Sequence, residues 1–74
     1  MEKTYLVIWF NSDGSEPSEV NKRIMDLGFE PAIGNYDYVY EWDKDADIDD
    51  LFELADQLHQ TLKGTKTLYK VESV

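Results

Sequence analysis

The apolar run Tyr5–Phe10 is the feature that most limits what this chain can fold into. It is six residues long and rich in β-branched and aromatic side chains. The turn-forming residues Asn11–Gly14 follow it directly, so the run predicts a strand. Side chains of a strand alternate between the two faces of a sheet, and here both sets are apolar. The run therefore predicts a central strand that needs cover on both sides.

Two amphipathic segments predict helices. The first begins with the start signal Ser15–Glu19, has apolar residues at i, i+4 and i+7, and stops at Gly28. The second begins near Asp47, where acidic residues favour the positive end of a helix, and it closes at Lys63-Gly64. The apolar stripe of this second helix comprises Ile48, Leu51, Phe52, Ala55, Leu58 and Leu62.

Three further segments predict strands. Phe29–Ile33 is the weakest, and Pro31 within it has no backbone donor, which places this strand at a sheet edge. The turn pair Gly34-Asn35 joins it, as a hairpin, to the alternating segment Tyr38–Trp42. Thr67–Val71 is the final strand.

The order β-α-β-β-α-β predicts an α+β fold of the ferredoxin-like split βαβ type. We expect one domain over residues 1–74, with an antiparallel four-stranded sheet of order 4-1-3-2 and both helices on one face. This order makes the first and third strands central, in agreement with the apolar run at Tyr5–Phe10 and with Pro31 at an edge.

Helices on a single face leave the other face of the sheet uncovered within one chain. If Val39 turns toward the helices, then Tyr38, Tyr40 and Trp42 lie on the uncovered face, together with Trp9 of the first strand. An apolar patch of that size exceeds what a monomer normally exposes. The sequence therefore predicts a homodimer in which two sheets pack face to face.

Composition excludes several classes of protein. Sixteen acidic against seven basic residues give a net charge of −9, which disfavours nucleic acid as a partner. The chain has no cysteine, so neither disulfides nor thiolate metal sites are expected. No apolar run approaches the roughly 18 residues of a membrane span. The start of the chain lacks a signal-peptide cleavage region, so no membrane partner and a cytoplasmic location are expected.

Residues 41–56 contain eight acidic side chains and one basic one. Counted from Asp43, an EF-hand needs glycine and glutamate where this chain has Ile48 and Leu54, so that motif fails. We interpret Asp45 or Asp47 as the helix cap; a looser Mg²⁺ or Ca²⁺ site is the alternative. The prediction is that the chain has no metal site and no cofactor.

No recognisable catalytic constellation accompanies these elements. His59 is the single histidine, flanks an apolar stripe and lacks a sequence-defined nucleophile, so it is interpreted as a boundary residue. Glu41 shares a strand face with Val39 and is interpreted as an exposed residue at the end of its strand. No catalytic residue is therefore predicted.

The segment Gly34-Asn35-Tyr36-Asp37-Tyr38-Val39 falls between an edge strand and a central strand. The amphipathic helix Ile48–Leu62 and a last strand follow. This arrangement resembles the RAM domain, the C-terminal effector domain of the leucine-responsive (feast/famine) regulators, which also occurs free-standing. Gly-x-Tyr-Asp is its most specific element. Related dimeric α+β barrel proteins, including small monooxygenases, share much of the pattern.

The resemblance implies dimers built through the open sheet face, often assembled further into rings. It also implies small-ligand sites, typically for amino acids, at interfaces near this turn. Gly34, Tyr36 and Asp37 match the motif, whereas Asn35 stands where the family commonly has an acidic or other polar residue. The chain shows no helix-turn-helix, so the resemblance implies at most a stand-alone sensor or an assembly partner.

The preferred function is a non-enzymatic module that binds a small metabolite as a homodimer. Asp37 would be its polar anchor, and the Gly34-Asn35 turn would supply backbone donors. One alternative is a small barrel enzyme with an aromatic pocket formed by Trp9, Tyr40 and Trp42. The other is a protein-interaction module that docks a basic partner through the acidic segment 41–56.

Overall fold

Two helices pack against one side of a four-stranded antiparallel sheet, which confirms the α+β class. The computed structural model describes all 74 residues. The elements are β1 (Lys3–Trp9), α1 (Pro17–Asp26), β2 (Glu30–Pro31), β3 (Tyr38–Glu41), α2 (Ile48–Leu62) and β4 (Leu68–Ser73). Neither helix is long and apolar enough to cross a membrane.

The strands lie side by side in the order β2-β3-β1-β4, counted from the β2 edge. Counted from the other edge, the same neighbours read 4-1-3-2. β1 therefore lies in the interior of the sheet, where its apolar character places it. It pairs with β3 over Lys3–Leu6 and with β4 over Thr4–Trp9.

The edge strand β2 has two residues instead of the five predicted. The regular pairing ends at Pro31, and one further hydrogen bond, from the Ala32 N–H to the Asp37 carbonyl at 3.0 Å, links the connection to the residue before β3. Ile33 is fully exposed in the connection that follows. Phe29, predicted to begin the strand, places its side chain in the core with 1% exposure.

One hydrophobic core lies between the helices and the sheet. Its members come from both helices and from the central strands: Leu6, Val20, Ile24, Phe29, Tyr38, Leu54, Leu58 and Leu62. Leu6 and Tyr38 are direct partners in the β1–β3 ladder and therefore share a face. That pair fixes which side of the sheet the helices cover.

The expectation that Tyr38, Tyr40 and Trp42 occupy the uncovered face is wrong. Tyr38 belongs to the core, and Tyr40 and Trp42 pack against it. Their polar groups are satisfied there, since the Tyr38 hydroxyl donates to Asn21 at 2.6 Å and the Trp42 indole donates to Thr4 at 2.9 Å. Aromatic side chains bury more area than valine, so they fill the space beneath two short helices better than Val39 would.

The acidic start of α2 works as a helix cap, which confirms the capping interpretation at Asp47. The Asp47 carboxylate accepts from the Asp50 N–H, and the Asp50 carboxylate accepts from the Asp47 N–H, both at 3.0 Å. This reciprocal pair is a capping box that satisfies two free donors. Asp45 instead accepts from the Met1 ammonium group at 2.7 Å.

The loop after β1 touches the turn before β4 at a position where no side chain fits. Ser15 donates its N–H to the Thr65 carbonyl at 3.1 Å. A Cβ at Gly14 would overlap that same carbonyl oxygen. Glycine is therefore required by close approach of two backbones.

We expect Asp47→Ala to lower the free energy of unfolding by about 1 kcal/mol, because it removes the carboxylate that accepts from the Asp50 N–H at the start of α2. Asp49→Ala is the matched control: its carboxylate makes no hydrogen bond and contributes only through the helix dipole, roughly 0.3–0.5 kcal/mol. Urea unfolding of the two variants measures the difference. Equal losses would contradict the capping box.

Candidate functional site

The side of the sheet that faces away from the two helices, called the open face, is not covered by a helix of the chain. Its residues follow from the strand pairings, because direct partners share a face. They are Lys3, Tyr5, Val7, Trp9, Glu30, Val39, Glu41, Leu68, Lys70 and Glu72. Only one of the four predicted face residues, Trp9, is among them.

An apolar strip crosses the open face and ends in its most exposed side chains. Tyr5, Val7 and Val39 are half-buried by their neighbours. Trp9 and Leu68 are direct partners in the β1–β4 ladder, and they are 52% and 71% exposed. Two large adjacent apolar side chains at this exposure mark a surface that gains free energy when covered.

The charges on the open face nearly cancel. It carries two lysines against three glutamates, whereas the whole chain carries −9. Lys3 lies 3.8 Å from Glu41, and Lys70 lies 2.8 Å from Glu72. Glu41 is exposed at the end of β3, which confirms its interpretation as a strand-end residue. The open face therefore repels a second copy less than the acidic remainder of the surface does.

Tyr36 leaves the β2–β3 connection and lies over the open face. Its ring stacks on Tyr5 with centroids 4.4 Å apart, and its hydroxyl donates to Glu72 at 2.6 Å. Hydrogen bonds from Lys70, and then from Tyr36, hold the pKa of Glu72 below its ordinary value. The bond to Glu72 in turn raises the pKa of Tyr36. Tyr36 thus links the loop before β3 to the far edge strand β4.

Asp37 extends the pairing of β1 beyond the point where β3 begins. Its N–H donates to the Leu6 carbonyl, and its carboxylate Oδ2 accepts from the Ile8 N–H, both at 2.9 Å. The other carboxylate oxygen has no hydrogen-bond partner within the chain. Gly34, with φ of +95°, and Asn35 are exposed and bring no side chain to this point. Of the four predicted ligand-binding residues, Tyr36 and Asp37 make contacts within the fold.

A cleft of about 220 Å³ lies beside the Asp37 carboxylate. Its lining residues are Ile8, Phe10, Asn21, Pro31, Asp37 and Tyr38. Phe10 is 48% exposed, and the Asn21 side-chain oxygen already accepts from Tyr38. The sequence does not predict Phe10 or Asn21 as site residues; the apolar run that ends at Phe10 is a signal for the first, and none exists for Asn21.

The predicted aromatic pocket of Trp9, Tyr40 and Trp42 does not form. Trp9 lies on the open face, and the other two lie on the helix side. Tyr40 and Trp42 instead border a cleft of about 270 Å³ beside the start of α2.

Lys44 and Asp50 border the same cleft and contact each other at 2.9 Å. This contact lowers the pKa of Asp50 and raises that of Lys44. No three acidic or histidine side chains converge in a geometry that would hold a metal ion. His59 is exposed near the end of α2.

We expect Tyr36→Phe to raise the pKa of Glu72 toward its ordinary value of about 4.3. Lys70→Gln should raise it further, because Lys70 is the larger cause of the shift. Carboxyl-carbon NMR titration of both variants measures this. Since the folded-state pKa is lowered, the stability that Glu72 contributes is complete above pH about 4.3 and is lost as pH falls through the folded pKa. An unchanged Glu72 pKa in Tyr36→Phe would show that the hydroxyl contact does not persist in solution.

Comparison with known proteins adds no family to this geometry. The chain matches no family model, no curated protein and no solved structure at a significant level. The resemblance to the RAM domain therefore stays an expectation, carried by the Gly34–Asp37 motif and the order of elements.

Proposed function

We propose that this chain is a non-enzymatic module that binds a small amine-bearing metabolite and works as a homodimer through its open face. The proposed topology is the ferredoxin-like split βαβ arrangement. The observation that carries the proposal is the exposed Trp9–Leu68 pair on a nearly neutral sheet face, with an available carboxylate at Asp37 near the same end of β1. A RAM-like role is consistent with this arrangement.

The four strands of the open face contain nineteen residues in total. At about 3.3 Å by 4.8 Å for each residue, they cover roughly 300 Å² of flat area. Two such faces packed together would bury about 600 Å² before the relief of the side chains is added, so the proposed contact belongs to the small end of dimer interfaces. Trp9 and Leu68 would be the apolar anchors of the interface.

The cleft beside Asp37 offers complementary groups to an amino acid. One Asp37 oxygen is held by the Ile8 N–H, which orients the carboxylate and leaves the other oxygen for an ammonium group. Because the Asn21 oxygen accepts from Tyr38, the Asn21 amide nitrogen remains a donor for a ligand carboxylate. Ile8 and Phe10 supply an apolar wall.

The enzyme alternative depended on an aromatic pocket, and that pocket does not form. Tyr40 and Trp42 are packed against the core, and the Trp42 indole is bonded to Thr4. The shifted pKa values belong mainly to exposed ion pairs and their partners. The acidic-docking alternative keeps exposed carboxylates on α2, at Asp49, Glu53 and Asp56, beside the exposed apolar side chains of Ile48 and Phe52.

We expect the wild-type chain to sediment at about twice its monomer mass of 8.6 kDa at micromolar concentration. Leu68→Asp should weaken the dimer at least tenfold, because it places a charge beside Trp9 in the most exposed apolar part of the open face. Ile33→Ser is the matched control, since Ile33 is fully exposed in the β2–β3 connection and belongs to none of the strands that form the open face. A wild-type monomer at high micromolar concentration, or equal effects of the two variants, would refute the face-to-face dimer.

We expect at least one of the twenty amino acids to bind the wild-type chain in calorimetric titration. Asp37→Asn should weaken that binding at least tenfold, because it keeps an oxygen for the Ile8 N–H and removes only the charge. Asp13→Asn is the control, as it makes the same change on an exposed turn. Binding of none of the twenty, or unchanged binding by Asp37→Asn, would refute the ligand site while leaving the dimer result standing.

A further inference from the structure

The two edges of the sheet differ in what they offer to another strand. The β2 edge has two residues, one of which is Pro31. The β4 edge has six residues and no proline. A long edge strand without proline presents a row of free backbone donors and acceptors. Only the β4 edge is therefore open to strand addition.

The free groups on β4 can be named from the ladder. Lys3 and Val74 exchange both backbone hydrogen bonds, at 3.2 and 2.9 Å. In an antiparallel pair such bonded positions alternate with non-bonded ones. The N–H and C=O groups of Tyr69, Val71 and Ser73 therefore point away from β1. They span about 13 Å along the edge.

An apolar flank of α2 runs beside this edge. Ile48, Phe52, Ala55 and His59 recur at spacings of four, three and four, which places them along one side of the helix. His59 and Tyr69 border the same cleft near the start of β4, so this side of α2 is the one next to β4. Ile48 and Phe52 are 55% and 58% exposed, and they offer contact to apolar side chains of an added strand.

The start of β4 is the basic end of an acidic molecule. Residues 57–74 contain three lysines and one glutamate, whereas the whole chain carries −9. Lys63 and Lys66 form no salt bridge, in contrast to Lys70, which is paired with Glu72. Their charges are available to carboxylates of a partner.

We propose that the β4 edge binds an extended segment of a partner protein as a fifth strand, with alternating apolar side chains against α2 and acidic residues beside Lys63 and Lys66. Main-chain hydrogen bonds to Tyr69, Val71 and Ser73 supply affinity, and Phe52 and the two lysines supply selectivity. A second copy fits less well. Its own β4 carries a single acidic residue, Glu72, which is already paired with Lys70.

The probe is an acetylated, amidated octapeptide of alternating glutamate and valine, titrated into the ¹⁵N-labelled chain. We expect the amide protons of Tyr69, Val71 and Ser73 to exchange at least tenfold more slowly with the peptide bound. The corresponding peptide of lysine and valine should not protect them. Protection by both peptides alike, or by neither, would overturn the proposal.

Two variants locate the interaction. The double variant Lys63→Glu and Lys66→Glu should weaken peptide binding at least tenfold, whereas Lys22→Glu, an exposed lysine of α1 without a salt bridge, should not. Phe52→Ser should also weaken peptide binding, because it removes an apolar contact while the backbone groups of β4 stay unchanged. Shifts confined to Tyr5 and Trp9 would place the peptide on the open face and overturn the edge site. Concentration-dependent protection of the β4 amides without peptide would show that a second copy occupies the edge.

Discussion

The pairing of Leu6 with Tyr38 is the contact on which the rest of the structure depends. Strand side chains alternate with a period of two, so this one pair decides the face of every other residue on β1 and β3. A shift by one residue would turn Trp42 and Tyr40 outward and bring Val39 beneath the helices. The observed register places the aromatic residues in the core and leaves a strip of Tyr5, Val7 and Trp9 on the open face.

The Gly34–Asp37 motif, on which the resemblance to the RAM domain rests, makes structural contacts in this chain. Asp37 secures Ile8 of β1, and Tyr36 reaches across the open face to Glu72. These contacts do not compete with the proposed ligand site, because only one Asp37 oxygen is engaged. The hydrogen bond from the Ile8 N–H also orients the remaining Asp37 carboxylate oxygen, which reduces the entropy that a ligand must overcome on binding.

The two proposed interfaces use different properties of one sheet. The open face has large apolar side chains and almost balanced charge, which suits a second copy of a strongly acidic chain. The β4 edge has free backbone groups beside unpaired lysines, which suits an extended acidic segment. Both surfaces border β4, so Lys70 and Glu72 lie at their junction.

The sequence by itself determined the order of elements, the central place of the apolar run and the capping of α2, because each of these follows from local propensity and from residues close along the chain. The sequence did not determine which face of β3 packs against the helices. Both faces of β3 carry apolar residues, and the two-residue period alone does not choose between them. Long-range contacts decided the rest. Gly14 against Thr65, Asn21 under Tyr38 and Ile8 above Asp37 join residues that only the tertiary structure brings together.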